Sequence, residues 1–452
     1  MTAVLRLECR RFLRSRALVA AAVVWALAAA GSVLHGAHII ERQRRALADA
    51  DRLQAEQHDA VLRHQPPTAV AGDQLYYLAF HTRHAPSSWA PLSIGQRDQR
   101  SFNVKVRMLA LHGQLYDADV TSPLLAALGT FDFAFVLVAL APLLVIAATH
   151  DLLSSEREAG TWPLIRSQPV AAVRVLGLKL AVRVSVVIGV TLAALLAAPL
   201  ATGAVLDGRL AAAMAVATAY LLLWGVMALV VATFGRASEV NALVLLGLWL
   251  LWVVVGPSLV TTAASARFPT PEALELTVQQ RHGYHGAWDR PVPDTMARFY
   301  ARYPEWRSVP VPADRYSNGW YYAMQQRGDD AAADAAARFL SGLEARHAWV
   351  QRFWWLLPPA LVQAGFDRAA RTDLPSHLAY LRSVAEFHER LKARFFPVVF
   401  SEVSIAEVDW QDVPRHLHDD EGAGVDLVPA LAGLSAWLAV AVLAVGLRAG
   451  RL

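Results

Sequence analysis

The sequence has very little of the residue chemistry on which disulfide-rich proteins and common enzymes depend. Its 452 residues include one cysteine, Cys9, which excludes an intramolecular disulfide framework. Lysine occurs only at positions 105, 179 and 392, and no Gly-x-x-x-x-Gly-Lys-Ser/Thr phosphate-binding loop is present. The His-Glu-x-x-His pair of zinc proteases and the Gly-x-Ser-x-Gly elbow of serine hydrolases are also missing. We therefore expect no catalytic residues, no resident metal and no bound cofactor in this chain.

What the chain has in abundance is apolar sequence. Hydrophobic residues make up 55% of the chain and the mean hydropathy is +0.33, which is too apolar for an ordinary soluble protein. The net charge of +4 is small, and the arginines cluster at the ends of apolar runs. Such a distribution indicates orientation in a membrane and not a nucleic-acid-binding surface.

Six stretches are apolar over about the ~20 residues that a helix needs to cross a ~30 Å hydrocarbon core. They lie at residues 17–35, 131–149, 178–200, 209–233, 241–263 and 427–447. The sequence therefore predicts an all-α polytopic membrane protein with six transmembrane helices. The first apolar run is longer than the ~7–15 residues of a signal-peptide core. Although Ala28 to Ala30 resemble a cleavage site, we treat this run as an uncleaved span.

The arginines also predict how the spans are oriented. Five arginines precede the first span, between Arg6 and Arg16, so the positive-inside rule puts the N-terminus in the cytosol. Six spans then return the C-terminus to the cytosol. The remaining inside segments carry basic residues as well: Arg157, Arg166, Arg174, Arg236, Arg448 and Arg451.

This topology divides the chain into five parts. They are a basic entry helix with span 1 (1–35), a first extracytoplasmic segment (36–130), spans 2 to 5 with a cytosolic coupling loop at 150–177 (131–263), a second extracytoplasmic segment (264–426), and span 6 with a cytosolic tail (427–452). We expect the two extracytoplasmic segments to form one mainly helical domain.

Local patterns predict the elements of that domain. Residues 41–64 lack glycine and proline and should continue helically from span 1 until Pro66 and Pro67 end the helix. Further helices are predicted at about 98–116, 329–355 and 376–396. The proline-rich stretch 269–293 favours a loop, and 398–408 favours a strand.

Two smaller features admit two interpretations each. Residues 353–362 contain paired tryptophans and paired prolines, which suit either a break at the lipid headgroups or a buried aromatic cluster. His416 and His418, followed by Asp419, Asp420 and Glu421, suit either a metal site or a solvated polar loop.

The spans offer little for ion or solute binding. Arg174, Lys179 and Arg183 lie near the inner end of span 3, where they can extend to the headgroups, so no proton relay is predicted. Small residues in span 3 indicate close helix packing, not a substrate site.

The coupling loop carries the most informative motif. Glu156-Arg157-Glu158-Ala159-Gly160-Thr161 is followed by Pro163, Arg166, Pro169-Val170 and Gly177-x-Lys179. This pattern resembles the Glu-Arg-Glu-x-Gly-Thr motif of ABC-2-type transporter permeases, and the six-span layout is similar as well. The second extracytoplasmic segment resembles a subfamily with a large uncharacterised outer domain, related to permeases of nitrous-oxide-reductase maturation and gliding motility. Thr372-Asp373, His377 and Glu386 to Arg390 resemble its outer motif, although Arg371 stands in place of the usual glycine.

The resemblance implies a multi-pass permease of the bacterial inner membrane. It implies two permease subunits, identical or homologous, and a dimer of cytosolic ABC ATPase subunits that carry the ATP and Mg²⁺. The residues expected to couple the chain to that ATPase are Glu156, Arg157, Glu158, Gly160, Thr161 and Arg166. Surrounding lipid and an extracytoplasmic protein are the other expected partners, and nucleic acid is not expected. The alternative is a mechanical or sensory membrane protein in which ATP-driven motion acts on an outer partner without solute passage. The substrate, the direction of transport and the identity of the second permease do not follow from the sequence.

Overall fold

The computed structural model describes residues 2–115, 129–167, 171–204, 206–270, 272–419 and 427–448. Most of these residues are helical. We number the helices in chain order: α1 (Thr2–Arg14), α2 (Arg16–Arg63), α3 (Ala71–Leu75), α4 (Leu111–Leu115), α5 (Phe133–Phe135, a π-helical turn Val136–Leu140, then Ala141–Thr149), α6 (Ser154–Glu158), α7 (Trp162–Arg166), α8 (Ala172–Thr202), α9 (Gly208–Ala232), α10 (Ser238–Arg267), α11 (Glu272–Trp288), α12 (Val292–Arg302), α13 (Asn318–Trp354), α14 (Pro358–Ala370), α15 (Leu374–Phe400) and α16 (Val428–Arg448). One two-stranded antiparallel sheet pairs β1 (Phe80–His81) with β2 (Lys105–Val106).

Six of these helices are long and apolar enough to cross a membrane: α2, α5, α8, α9, α10 and α16. They coincide with the six stretches predicted from hydropathy. They form one bundle with a shared apolar core. α5 and α9 lie at its centre, with 67% and 56% of their most apolar window buried, whereas α10 buries only 11% and exposes an apolar face.

The bundle has two different ends. The coupling loop, the short connection at 233–237 and helix α1 lie at one end, which we call the loop end. Arg448, the last described residue of α16, also lies there, with its guanidinium 3.7 Å from the ring centre of Phe234. The two large segments lie at the opposite end and form what we call the head domain.

Helix α2 joins the bundle to the head domain without a break. Its 48 residues span about 72 Å at 1.5 Å per residue, more than twice the hydrocarbon thickness. The distal half contacts the head domain, where Gln54 Oε1 accepts from His81 N at 2.6 Å and His58 Nε2 bonds Ala79 O at 2.9 Å. The helix ends at Arg63, just before Pro66, as the sequence pattern predicts.

The first head-domain segment contains less helix than the sequence predicts. The expected helix at 98–116 is wrong for the described residues up to 115: this stretch forms turns, β2 and the five-residue α4. In the non-helical part, backbone groups bond distant side chains, since Val104 N donates to Tyr380 Oη at 3.0 Å and Ala110 N donates to Gln325 Oε1 at 3.1 Å. Asp329 caps α4 by accepting from Leu111 N at 2.8 Å and from His112 N at 3.0 Å. Tertiary hydrogen bonding has therefore overridden local helix propensity.

The second segment contains more helix than predicted. The proline-rich stretch, expected as a loop, forms α11 and the start of α12. Pro293 lies in the first turn of α12, where a missing N–H costs no hydrogen bond. The predicted strand at 398–408 is also wrong. α15 continues to Phe400, and only Ser404 forms an isolated bridge, with Val70.

The break at residues 353–362 lies between the head domain and the bundle. α13 ends at Trp354 and α14 begins at Pro358. Trp355 is 46% exposed, and its carbonyl accepts from Trp437 Nε1 of α16 at 2.8 Å. α14 packs into the apolar core of the bundle, so this segment is a junction and not part of the head-domain core.

The π-helical turn in α5 is stabilised by side chains from two neighbouring spans. Pro142 has no N–H to donate to the carbonyl of Val138, four residues earlier. Tyr220 Oη of α9 donates to that carbonyl at 2.8 Å, and Trp249 Nε1 of α10 donates to the carbonyl of Ala139 at 2.9 Å. These bonds satisfy backbone groups that apolar surroundings would otherwise leave unpaired.

Candidate coupling site

The coupling loop folds as two short helices at a sharp angle. α6 ends at Glu158, and Gly160 adopts a φ of +68°, a left-handed conformation that glycine tolerates without strain. The N–H of Thr161 then returns to the carbonyl of Glu156 at 2.9 Å. Pro163 lies in the first turn of α7. The Gly-Thr-x-Pro sequence therefore explains why the loop turns where it does.

Glu156 faces into the protein and not towards solvent. Its carboxylate pairs with the ammonium group of Lys179 on α8 and accepts from Arg11 Nη1 of α1 at 3.3 Å. The hydroxyl of Thr161 donates to it as well. Glu156 is 7% exposed and Lys179 is 3% exposed, so this is a buried ion pair that fastens the loop to two helices.

Arg157 and Glu158 bind the short connection between α9 and α10. Arg157 Nη1 donates to the carbonyl of Gly235 at 3.0 Å, and its guanidinium lies 5.9 Å from the ring centre of Trp162. Glu158 Oε1 accepts from Ser238 Oγ at 2.9 Å and from Ser238 N at 3.3 Å. A carboxylate at this position stabilises the N-terminus of α10 through the helix dipole.

The turn before α6 is fastened in the same way. The carboxylate of Asp151 pairs with Arg183 of α8, and Arg183 Nη1 also donates to the carbonyl of Ala148 at 2.8 Å. Asn241 Nδ2 of α10 donates to the carbonyl of His150 at 3.3 Å. The expectation that Lys179 and Arg183 extend to lipid headgroups is therefore wrong, because both cations pair with carboxylates of the coupling loop.

The six predicted site residues thus separate into three groups. Glu156 and Thr161 are engaged internally, while Arg157 and Glu158 are exposed but bonded to the α9–α10 connection. Gly160 and Arg166 are exposed, and Arg166 forms no ion pair within the described part of the chain. Sequence reasoning did not identify the partners Arg11, Gly235 and Ser238, which are far away in the chain and have no motif of their own.

The outward surface of the site is formed by α7. Leu164 is 66% exposed, and Pro163, Arg166 and Ser167 are exposed beside it. We call these four residues the α7 face. It combines one apolar side chain with one cation that has no ion-pair partner among the described residues. Such a surface can bind another protein without breaking contacts inside this chain.

The junction between bundle and head domain contains a second group of buried polar residues. Asp132 precedes α5, and its carboxylate accepts from Phe135 N and from Ile94 N, each at 2.8 Å. Asp367 of α14 accepts from Ser93 Oγ at 2.5 Å and from Gln363 Nε2 at 2.9 Å. Burial raises the pKa of Asp132 to about 6, and burial together with the nearby Asp132 raises the pKa of Asp367 to about 7.

The predicted histidine site has the character of a structural contact. His416 is buried, and its two ring nitrogens bond Arg83 N at 3.1 Å and Ser383 Oγ at 3.0 Å. Asp420 and Glu421 lie outside the described residues. Among the residues that the structure describes, no group of three or more His, Cys, Asp or Glu side chains is placed to hold a metal ion.

The comparisons with known proteins concern the head domain. Residues 273–419 match a family model described as Domain of unknown function (DUF3526). This range contains Thr372, Asp373 and His377, three residues of the outer motif, and it does not reach the coupling loop. No curated protein and no solved structure matches the chain.

Proposed function

We propose that this chain is the transmembrane permease subunit of an ATP-binding-cassette transporter of the ABC-2 type. In this proposal the loop end faces the cytosol, the head domain faces the extracytoplasmic side of the bacterial inner membrane, and α6 and α7 form the coupling element. Two permease subunits and two ATPase subunits assemble, and ATP and Mg²⁺ bind to the ATPases. The chain moves or extrudes a substrate and hydrolyses no ATP itself.

The observation that carries the proposal is the rigid attachment of the coupling loop. Its charged residues bond α1, α8 and the start of α10, and its first helix, α6, follows α5 after the turn at residues 150–153. A force applied to the α7 face is therefore distributed to several spans at once. A partner that contacts this face differently in two states can bias the bundle between two arrangements.

A second function is supported by the continuous helix α2. Because it runs from the loop end of the bundle into the head domain, motion of the bundle reaches the head domain through one rigid element. A mechanical or sensory role, in which the head domain acts on an extracytoplasmic partner without solute passage, uses the same geometry. Measurement of substrate accumulation in sealed vesicles separates the two functions.

The coupling role is tested on the α7 face. We expect Leu164→Asp to reduce co-purification with the proposed ABC ATPase partner, because a charge replaces the central apolar contact. Thermal unfolding of the variant should be unchanged, since Leu164 makes few internal contacts. Leu53→Asp, on the exposed part of α2, is the control. Equal co-purification of both variants with the ATPase would refute the docking role.

The topology is tested by cysteine labelling in a Cys9→Ser background. Ala60 and Ala337 are exposed in the two head-domain segments, and Ser167 is exposed on the α7 face. An impermeant maleimide applied to intact spheroplasts should label cysteines at positions 60 and 337 but label position 167 only after lysis. The reverse pattern would invert the proposed orientation.

A further inference from the structure

A charged cleft lies in the head domain close to the bundle. It is bounded by residues 96–102 and by the turn that joins α14 to α15, and it is partly open to solvent. Three arginines line it, Arg97, Arg100 and Arg371, and one carboxylate, Asp373. The loop that leads to the cleft rests on the bundle, where Gly36 of α2 packs so closely against Pro91 that a β-carbon would overlap its carbonyl.

Two of the arginines are held by the chain itself. Arg97 is 6% exposed and donates Nε to Gln43 Oε1 at 2.7 Å and Nη2 to the carbonyl of His84. Arg371 also has contacts within the chain and adopts a left-handed φ of 57°. The guanidinium of Arg97 is therefore fixed by the chain and is not the anchor that a ligand would need.

Arg100 is different. Its Nε donates to Gln96 Oε1 at 3.0 Å, a neutral acceptor, and it forms no ion pair among the described residues. Burial lowers the pKa of its guanidinium, since the charge is partly removed from water. A half-buried cation without a counter-ion is unfavourable unless an anion is supplied.

The carboxylate of Asp373 does not supply it. Asp373 Oδ1 accepts from Ser376 N at 3.2 Å and from Ser376 Oγ at 2.8 Å, so it caps the N-terminus of α15. His377 lies one turn into that helix, close to the cationic groups of the cleft. Its pKa is lowered to about 3 by burial first, and then by the charges of Arg100, His84 and Arg97.

We propose that this cleft is a binding site for an oxyanion, a phosphate or carboxylate group, with Arg100 as its anchor. The planar guanidinium presents two terminal amino groups in the geometry that phosphate and carboxylate accept. Arg97 and Arg371 add positive charge to the same cleft. The cleft contains no residue of the coupling element, so the test of this site is independent of the test of the proposed transport function.

The same chemistry can come from two sources. Because the cleft lies next to the end of the bundle, the phosphate of an anionic phospholipid can reach it, and a soluble phosphate-bearing molecule can enter from the aqueous side. The experiment uses the full chain in nanodiscs of phosphatidylcholine. One arm adds inorganic phosphate or glycerol 3-phosphate, and the other replaces part of the lipid with phosphatidic acid, both at constant ionic strength.

We expect a rise in the unfolding temperature in at least one arm, and the responding arm identifies the source. Arg100→Gln should weaken binding about tenfold or more, since it removes a charged hydrogen-bonding partner. Arg307→Gln is the matched control, because Arg307 is an exposed head-domain arginine without an ion pair in the described chain. No response in either arm, or equal weakening by both variants, would overturn the proposal.

A second measurement covers the outcome in which Arg100→Gln fails to fold. In the wild-type chain labelled with ¹⁵N-histidine, a bound oxyanion should raise the pKa of His377, because it offsets the neighbouring cations. The signal is assigned with His377→Gln. An unchanged titration of His377 at saturating phosphate and in phosphatidic acid nanodiscs would exclude binding at this cleft.

Discussion

The two ends of the bundle hold their buried carboxylates in opposite ways. At the loop end, Glu156 lies against Lys179 and Arg11, so its charge is met by cations from two other helices. At the head end, Asp132 is 3% exposed and lies near Asp367, which is half-buried and accepts from neutral donors on Ser93 and Gln363.

This difference determines how each end responds to its surroundings. A carboxylate paired with a buried cation stays charged, and the pair resists changes in pH but fails when one partner is lost. A carboxylate enclosed with neutral groups and another acid has a raised pKa and exchanges its proton near neutral pH. The ion pair at the loop end should therefore keep its charges near neutral pH, whereas the protonation of the acids at the head end should change there.

The largest expected effect comes from breaking the loop-end pair. Lys179→Met leaves Glu156 buried without its nearest cation, which should destabilise the bundle by roughly 3–5 kcal/mol. Thermal unfolding in detergent measures this loss. Arg174→Met, an exposed arginine on the same helix, is the control and should change little.

The double variant Lys179→Met with Glu156→Gln sharpens this test. It removes both charges and should recover most of the lost stability, because no uncompensated charge remains. If the single and double variants unfold at the same temperature, the pair contributes through packing and not through charge.

The second effect concerns pH at the head end. The folded-state pKa of Asp367, about 7, lies above its ordinary value of 3.8, so the folded chain binds more protons than the unfolded chain between those values. Stability should therefore fall as pH rises from about 4 to 8, by roughly 2–4 kcal/mol in total. Asp367→Asn keeps the acceptor oxygen and should flatten this dependence.

The charges around Asp367 make the control specific. Asp132 and Asp373 are the neighbouring acids that raise its pKa. Asp373→Asn should therefore lower only slightly the pH at the midpoint of the stability loss. Unfolding temperature against pH, measured for the wild type and both variants, gives the comparison. A wild-type profile that is flat between pH 5 and 8 would contradict a raised pKa at this junction.

The smallest effect is expected at the exposed cap of α10. Glu158→Gln should cost about 0.5–1 kcal/mol, because the amide still accepts from Ser238 but the interaction with the helix dipole is lost. Glu239→Gln, in the same first turn of α10, is exposed and makes no side-chain hydrogen bond within the described chain, so it loses only the interaction with the helix dipole and should cost less. Hydrogen exchange of the first turn of α10 reports the difference directly, and equal exchange in both variants would argue against a cap.

Much of the architecture could be predicted because it depends on local composition. The six spans follow from apolar runs of sufficient length, and the extension of α2 follows from a stretch without glycine or proline. The predictions that failed in the head domain include a segment whose conformation depends on hydrogen bonds to residues far away in the chain. Tyr380 and Gln325 bond the backbone N–H groups of Val104 and Ala110, so a stretch with helical composition forms turns and a strand before α4 begins. A proline at the start of α12 was interpreted as a loop signal although it is also a helix-start residue.

By itself, the sequence determined that this chain has six membrane-length helices, a charged turn between the second and third, and a separate head domain. Those features follow from hydropathy and turn chemistry, which act over a few residues. Only the tertiary structure decided that Glu156 points inward and the α7 face outward, and that Arg100 lines a cleft without a counter-ion among the described residues. Whether a charge is paired depends on residues up to 145 positions away, as with Arg11 and Glu156, and no local pattern records that distance.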